Sequence, residues 1–349
     1  MILAIMMYGM LASVLCSLVF MDYFRTRNWW RSLVNIITQG KFNTLPLFIG
    51  LVPLGVLNKL FMNLEDILMP SLNRLTHDFF DKPGKVVLVL GHPRSGTTNL
   101  QKSIMSLDFT TGGNQYDLVF PSLTLKYVFW PFKRAVNWFF FRSVVQGDTA
   151  NHQMGIYEEL EEHLLLHHLA VGDAWAGCLF PRLSEDREFL KKSAKFERYQ
   201  IEFVKRCIVR NIYWRGAADK VYVGGPICFA GCADLVRKVM PQAKLVISVR
   251  DPKQSFPSLV DMALNLLGDE LDDVFKLRLK NYYEAMTCPL YTALARFEPD
   301  ELTYVLDFEN WKSDARAEIE HVWQWLNWQV PKDASLVALK KSERHQNKP

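Results

Sequence analysis

Residues 85–90 (KVVLVL) form, after Lys85, an unbroken apolar run rich in β-branched side chains, and they lead directly into residues 91–98 (GHPRSGTT). A run without polar alternation suits a strand buried on both faces of a parallel sheet. Gly91, Pro93 and Gly96 mark a tight loop, and the residues from Thr97 onward read as a helix. Strand, glycine-bearing loop and helix N-terminus in that order make an anion cradle, because backbone N–H groups and the helix dipole converge on one point. Gly96 permits close approach of the backbone to a phosphate. Ser95, Thr97, Thr98 and Asn99 add short polar side chains, and Arg94 adds a fixed cationic fork.

Residues 244–249 (KLVISV) read as a second buried strand and residues 302–306 (LTYVL) as a third, followed by a helix over about 313–326. Strands alternating with helices predict a three-layer α/β/α fold around a central parallel sheet. The stretch between the first two strands reads as mostly helical and is dense in aromatic residues. A chain of 349 residues, 49% hydrophobic and 22% charged, is long enough and apolar enough for one large domain with an appendage.

The loop departs informatively from the ATP-binding pattern G-x-x-x-x-G-K-S/T. Its glycines and Thr98 fit, but Thr97 stands where the phosphate-binding lysine belongs, and the cation has moved to Arg94. Residues 93–98 (PRSGTT) instead resemble the 5'-phosphosulfate loop of sulfotransferases that use 3'-phosphoadenosine-5'-phosphosulfate. In that family an arginine at the end of a later strand, with a serine eight positions on, holds the donor's 3'-phosphate. Arg250 ends the second strand here and Ser258 follows it by eight. The resemblance extends over most of residues 85–330. Residues 152–162 (HQMGIYEELEE) resemble a segment of a bacterial-type, membrane-anchored branch, and residues 307–309 (DFE) resemble its late Y-E-D-L segment. The basic residues of the tail, Lys340, Lys341, Arg344, His345 and Lys348, either join the 3'-phosphate site or are simply solvated.

The resemblance implies transfer of a sulfuryl group from that nucleotide to an acceptor hydroxyl or amine, with no metal. Arg94, with the loop amides, is expected to stabilise the leaving phosphate. Ser95, Gly96, Thr97, Thr98, Asn99, Arg250 and Ser258 complete the expected donor set. Many relatives carry a catalytic histidine and lysine on the segment before the Arg250-type strand; here residues 223–228 (VGGPIC) have neither. His152 or Glu158 is the expected base, with His92 as a third candidate. That departure also motivates a reading as a nucleotide-binding relative without activity, beside that of a phosphate-loop nucleotide enzyme.

The net charge of +4 does not imply a nucleic-acid partner. Six cysteines are too sparse for a disulfide framework, and neither the Cys228/Cys232 pair nor the His163/His167 pair makes a recognised metal pattern. Residues 1–21 carry no charge and are long enough to cross a bilayer; Arg25, Arg27, Trp29, Trp30 and Arg31 follow in the manner of a membrane interface. A single N-terminal anchor over residues 1–24 is expected, then a juxtamembrane segment over 25–80 and the catalytic domain over 81–349. That places the protein on a membrane, in the Golgi or another endomembrane if its source is eukaryotic. A second apolar stretch, residues 44–57, is short and interrupted by Pro46 and Pro53, so it reads as dipping into the membrane or lying on it. Aromatic residues at 120–141, with Lys126, Lys133, Arg134 and Arg142 among them, suit a membrane-facing surface or an apolar acceptor pocket. A lipid-linked, hydrophobic or glycan acceptor is expected.

Overall fold

The computed structural model of the chain describes residues 45–138, 155–158, 165, 194–226, 231–267, 273–294 and 296–330. Strands β1 (Val86–Gly91), β2 (Thr110–Thr111), β3 (Val221–Gly224), β4 (Lys244–Val249) and β5 (Thr303–Asp307) form one parallel sheet in the order β2-β3-β1-β4-β5. Helices α1 (Leu45–Leu68) and α2 (Pro70–Phe80) precede β1, and α3 (Thr97–Ile104) follows it. Between β2 and β3 come α4 (Gln115–Val119), α5 (Leu123–Phe129), α6 (Lys133–Asn137) and α7 (Ala194–Arg215). Helix α8 (Ala233–Val239) leads into β4, and α9 (Pro252–Leu267) and α10 (Asp273–Leu294) separate β4 from β5. Helices α11 (Phe308–Ser313) and α12 (Ala315–Trp325) follow β5.

Every residue of β1 is buried, as its unbroken apolar run requires. The pleat sends alternate side chains to opposite faces. Val86, Leu88 and Leu90 join Leu245 and Ile247 in a core covered by α2, α7 and α8. Val87 and Val89 join Val246 and Leu306 in a second core under α3 and α12. The expected three layers are thus present, and each face of the sheet has its own hydrophobic cluster. Helix α12 starts where Asp314 accepts from the Ala317 N–H (3.0 Å), close to the expected start of the last helix.

Around β1 the order of strands reverses, with β3 on one side and β4 on the other. In open parallel sheets this is where a crevice opens beyond the carboxyl ends of the strands. The ends of β1, β3, β4 and β5 therefore deliver Gly91, Gly224, Arg250 and Phe308 to one region.

Two expectations change. The apolar stretch at 44–57 is not a short interrupted segment: α1 is one helix of 24 residues that continues through Pro53. Its C-terminal half belongs to the folded body, where Met62 lies in the same core as β1. Lys126 is not on a surface. It is fully buried, 2.8 Å from Asp117 and 2.5 Å from the Asn211 side-chain oxygen. Among the described residues no helix is long and apolar enough to cross a membrane. The expected anchor at 1–24 lies outside the described residues, as does Arg142.

Candidate active site

The loop after β1 is held open by bonds within itself. The Ser95 N–H and hydroxyl both donate to the His92 carbonyl (3.2 and 2.8 Å), and the Ser248 hydroxyl of β4 donates to the Ser95 carbonyl (2.6 Å). Ser95 therefore fixes the loop's shape from a buried position. Gly96 caps α3 at φ 76°, a left-handed conformation, and has no side chain with which to occupy the first-turn N–H groups. A methyl on Gly96 would also meet the Phe308 ring at 2.7 Å. Gly91 is needed for a different reason: a Cβ there would lie 2.6 Å from the Ser95 hydroxyl oxygen and 2.9 Å from the Ser248 carbonyl. Arg94 is itself left-handed, at φ 68°. For a residue with a Cβ this costs on the order of 1–2 kcal/mol and persists only where the surroundings impose it.

The two expected subsites meet. The Arg94 Nε donates to the Ser258 hydroxyl on α9 (3.1 Å), and the Arg250 Nη1 donates to the Arg94 carbonyl (2.9 Å). Arg250 stacks on Phe308, its Cζ 4.3 Å from the ring centroid, while its Nε is buried without a hydrogen-bond partner. Two guanidinium groups, a hydroxyl and a helix N-terminus thus lie together, a donor set that fits phosphate groups at two points. Burial, and then the Arg250 charge, pull the Arg94 pKa below its ordinary value. Two cations held so close are what an anion between them would relieve. Thr97 is buried on the first turn of α3, and Thr98 and Asn99 beside it are partly exposed.

His92, the third base candidate, is fully buried. Its Nδ1 lies 3.0 Å from the Pro93 carbonyl and its Nε2 lies 3.1 Å from the Arg250 N–H, so it ties the loop to the end of β4. Burial lowers its pKa from the ordinary 6.5, against the pull of the Pro93 and Arg250 carbonyls. A histidine so depressed binds fewer protons folded than unfolded, so its contribution to stability is full above about pH 6.5 and falls as the pH drops below it. We expect thermal unfolding temperature to decline on acidification below that value, and His92→Gln to flatten the decline. An unchanged slope in the variant would assign the acid sensitivity elsewhere.

Glu158 lies against α3. Its backbone carbonyl accepts from the Gln115 N–H at the start of α4 (2.9 Å), and its carboxylate lies 3.7 Å from Lys102 Nζ. Lys102 follows Thr98 by four on α3, so the pair sits on the face of the helix that the loop begins. His152 lies outside the described residues, as do the basic tail, His163 and His167. Among the described residues no group of three or more His, Cys, Asp or Glu could hold a metal ion.

The sequence reading did not assign Phe308, Tyr291 or Gln101 to the site. Tyr291 of α10 packs on the His92 ring at 4.5 Å and shares a 2.5 Å hydrogen bond with Ser255. Gln101, one turn after Thr97, fills the space over Gly225, where a Cβ would come within 2.3 Å of its side-chain oxygen. Phe308 was legible only as part of the 307–309 segment; its contact with Arg250 depends on β5 lying beside β4. Phe308→Ala should weaken binding of the desulfated nucleotide roughly 5-fold by calorimetry, about 1 kcal/mol for losing a ring that holds a guanidinium in place. Affinity equal to that of the unmodified chain would leave the stacking without a function.

A parallel sheet reversing at β1, with a glycine-bearing loop whose Arg94 meets Arg250 from the end of β4, makes an α/β fold with a cationic site at the carboxyl ends of its strands. The chain belongs to the sulfotransferase family, whose model matches residues 87–332. Among solved structures it is similar to sulfotransferase STF1 from Mycobacterium tuberculosis H37Rv, at 14% identity and TM-score 0.66, with 97% of each chain covered. Sulfotransferase STF9 from Mycobacterium avium is similar at 14% identity and TM-score 0.64, over 88% of this chain and 78% of that one. At such identity the likeness concerns the fold. No curated protein sequence matches the chain.

Proposed function

We propose that the protein transfers a sulfuryl group from 3'-phosphoadenosine-5'-phosphosulfate to a hydroxyl or amine of a lipid-linked, hydrophobic or glycan acceptor. The observation that carries the donor reading is the convergence of Arg94, Arg250 and Ser258 beside the α3 N-terminus, which offers separate cationic contacts to a 5'- and a 3'-phosphate. When bound, the donor supplies an activated sulfuryl group on a phosphate leaving group. The loop amides, Thr97, Thr98 and Arg94 hold the 5' side and meet the charge that grows on the departing phosphate oxygen. Arg250 and Ser258 hold the 3'-phosphate and so fix the direction of in-line attack. Glu158 takes the acceptor's proton as its oxygen or nitrogen bonds to sulfur and the sulfur–phosphate oxygen bond breaks. The pairing with Lys102 supports this role by keeping the carboxylate turned toward α3.

Calorimetric titration of the full chain in detergent with 3'-phosphoadenosine-5'-phosphate tests the donor. Binding without magnesium is expected; binding of ATP with magnesium alone would replace this reading with a nucleotide-hydrolysing one. For the base, Glu158→Gln should lower kcat roughly 100-fold or more with nucleotide affinity retained. Turnover near that of the unmodified chain would hand the role to His152. Donor binding with no transfer across a broad acceptor panel would point to an inactive relative. The apolar residues 1–21 and the aromatic stretch at 120–141 support a membrane-presented acceptor.

A further inference from the structure

Helix α1 wears its polarity inside out. Every charged side chain between positions 54 and 68 faces the protein: Lys59 is buried over the Tyr199 ring, Glu65 is buried against Arg210 (2.8 Å), and Asp66 pairs with Arg206 and Arg210. The outward face carries Leu57, Leu60, Leu64, Ile67 and Leu68, the last two 75% and 73% exposed. A helix against water has the opposite pattern, with its apolar stripe on the core and its charges outside. Exposed apolar patches of this kind mark interaction surfaces, and buried charge with exposed leucine is the more informative combination.

Helix α1 is tied to neighbouring elements that expose apolar side chains of their own. Glu65 accepts from the Thr124 N–H and hydroxyl (2.7 and 2.9 Å), which fixes α1 beside α5. Phe61 shares a cluster with Trp130, and the chain beyond Trp130 exposes Phe132 and Trp138. Lys133 and Arg134 stand between those two residues, with Lys133 Nζ 4.1 Å from the Trp130 ring centroid. Aromatic rings with cations beside an aliphatic stripe are the composition of a surface lying at bilayer headgroup depth. The chain ahead of α1 agrees. Residues 1–44 contain the uncharged stretch 1–21 and then Arg25, Arg27, Trp29, Trp30 and Arg31, and they end where α1 begins.

We propose that the outward face of α1, with Phe132, Trp138, Lys133 and Arg134, docks onto an anionic lipid bilayer and holds the domain flat against it. This contact is separate from any spanning segment and independent of which donor the active site takes. Two kinds of contact explain it: the leucine stripe enters the acyl boundary, and the two cations meet anionic headgroups.

The test uses the full chain in vesicles of phosphatidylcholine with or without phosphatidylserine, with a photo-reactive p-benzoylphenylalanine in place of Leu64, Ile67 or, as control, Glu320. Crosslinking to lipid from positions 64 and 67, absent from position 320, is expected. With phosphatidylserine present, the double variant Lys133→Gln/Arg134→Gln should reduce the serine-lipid adduct about 30-fold, two cations each contributing about a fivefold factor at the surface. Adducts to the chain's own residues 1–44, or to a second copy, would overturn the proposal by assigning the face to protein. So would the absence of any adduct, which places the face in water. The readout is a covalent adduct, so loss of catalysis does not affect it, and all three sites are exposed enough that substitution leaves the core intact.

Discussion

Arg250→Ala is expected to weaken binding of 3'-phosphoadenosine-5'-phosphate by roughly 100-fold or more. Two charge-assisted hydrogen bonds to a dianionic phosphate, at about 1.5 kcal/mol each, set that scale. The residue has a second task that adds to the loss. Its Nη1 supports the Arg94 carbonyl and its planar head rests on Phe308, so removing it frees the left-handed Arg94 on the far side of the loop. Arg250→Lys separates the two contributions. Lysine keeps the charge but cannot span the carbonyl, the ring and a phosphate at once, so an intermediate affinity is expected. Calorimetry with a parallel unfolding curve makes the comparison fair. If both variants bind as tightly as the unmodified chain, the 3'-phosphate lies elsewhere and the proposed donor geometry is wrong.

Asp117→Ala is expected to cost about 3–5 kcal/mol of folding stability, a large part of what a domain has. Asp117 is fully buried, and one carboxylate answers Lys126 at 2.8 Å and Arg215 at 2.5 Å while capping α4 through the Asn114 N–H at 2.8 Å. Burial alone would raise its pKa, but Lys126 and Arg215 outweigh it and hold the carboxyl below its ordinary value. Removing the carboxylate leaves Lys126 enclosed beside a second cation, with burial already pulling its pKa down. The double variant Asp117→Leu/Lys126→Met removes both buried charges and lets the partly exposed Arg215 turn to water, so most of the loss should return. Denaturant unfolding measures both. A single variant within about 1 kcal/mol of the unmodified chain would mean that the network is wet rather than enclosed.

The phosphate loop could be read from sequence because its signal is local: an apolar strand, two glycines and a helix start within fourteen residues. The strand at 244–249 was legible to the residue for the same reason, being buried on both faces. What lay beyond reach depended on neighbours far along the chain. Phe308 acquires its role only because β5 pairs with β4, which sets its ring against both Gly96 and Arg250. Lys126 read as a surface cation among aromatics because nothing nearby in sequence announces Asn211 and Arg215 as its company. Helix α1 was obscured twice, by Pro46 and Pro53, which usually punctuate a helix, and by Lys59, Glu65 and Asp66, which resemble a solvent face. Arg206 and Arg210, spaced by four on α7, were the signal that those charges had partners.

The central strand has a further consequence during synthesis. Val86 finds its neighbour at Tyr222, and Val87 finds Lys244 on the other side. At about 5–20 residues per second, the ribosome takes on the order of 10 s to make the intervening chain. Throughout that interval an unbroken run of valine and leucine has no strand beside it, and such long-range pairing is slow to form once the partners arrive. The segment that makes the anion cradle possible is therefore an aggregation-prone site of the nascent chain, and its protection before β3 emerges falls to chaperones or to early docking of α2.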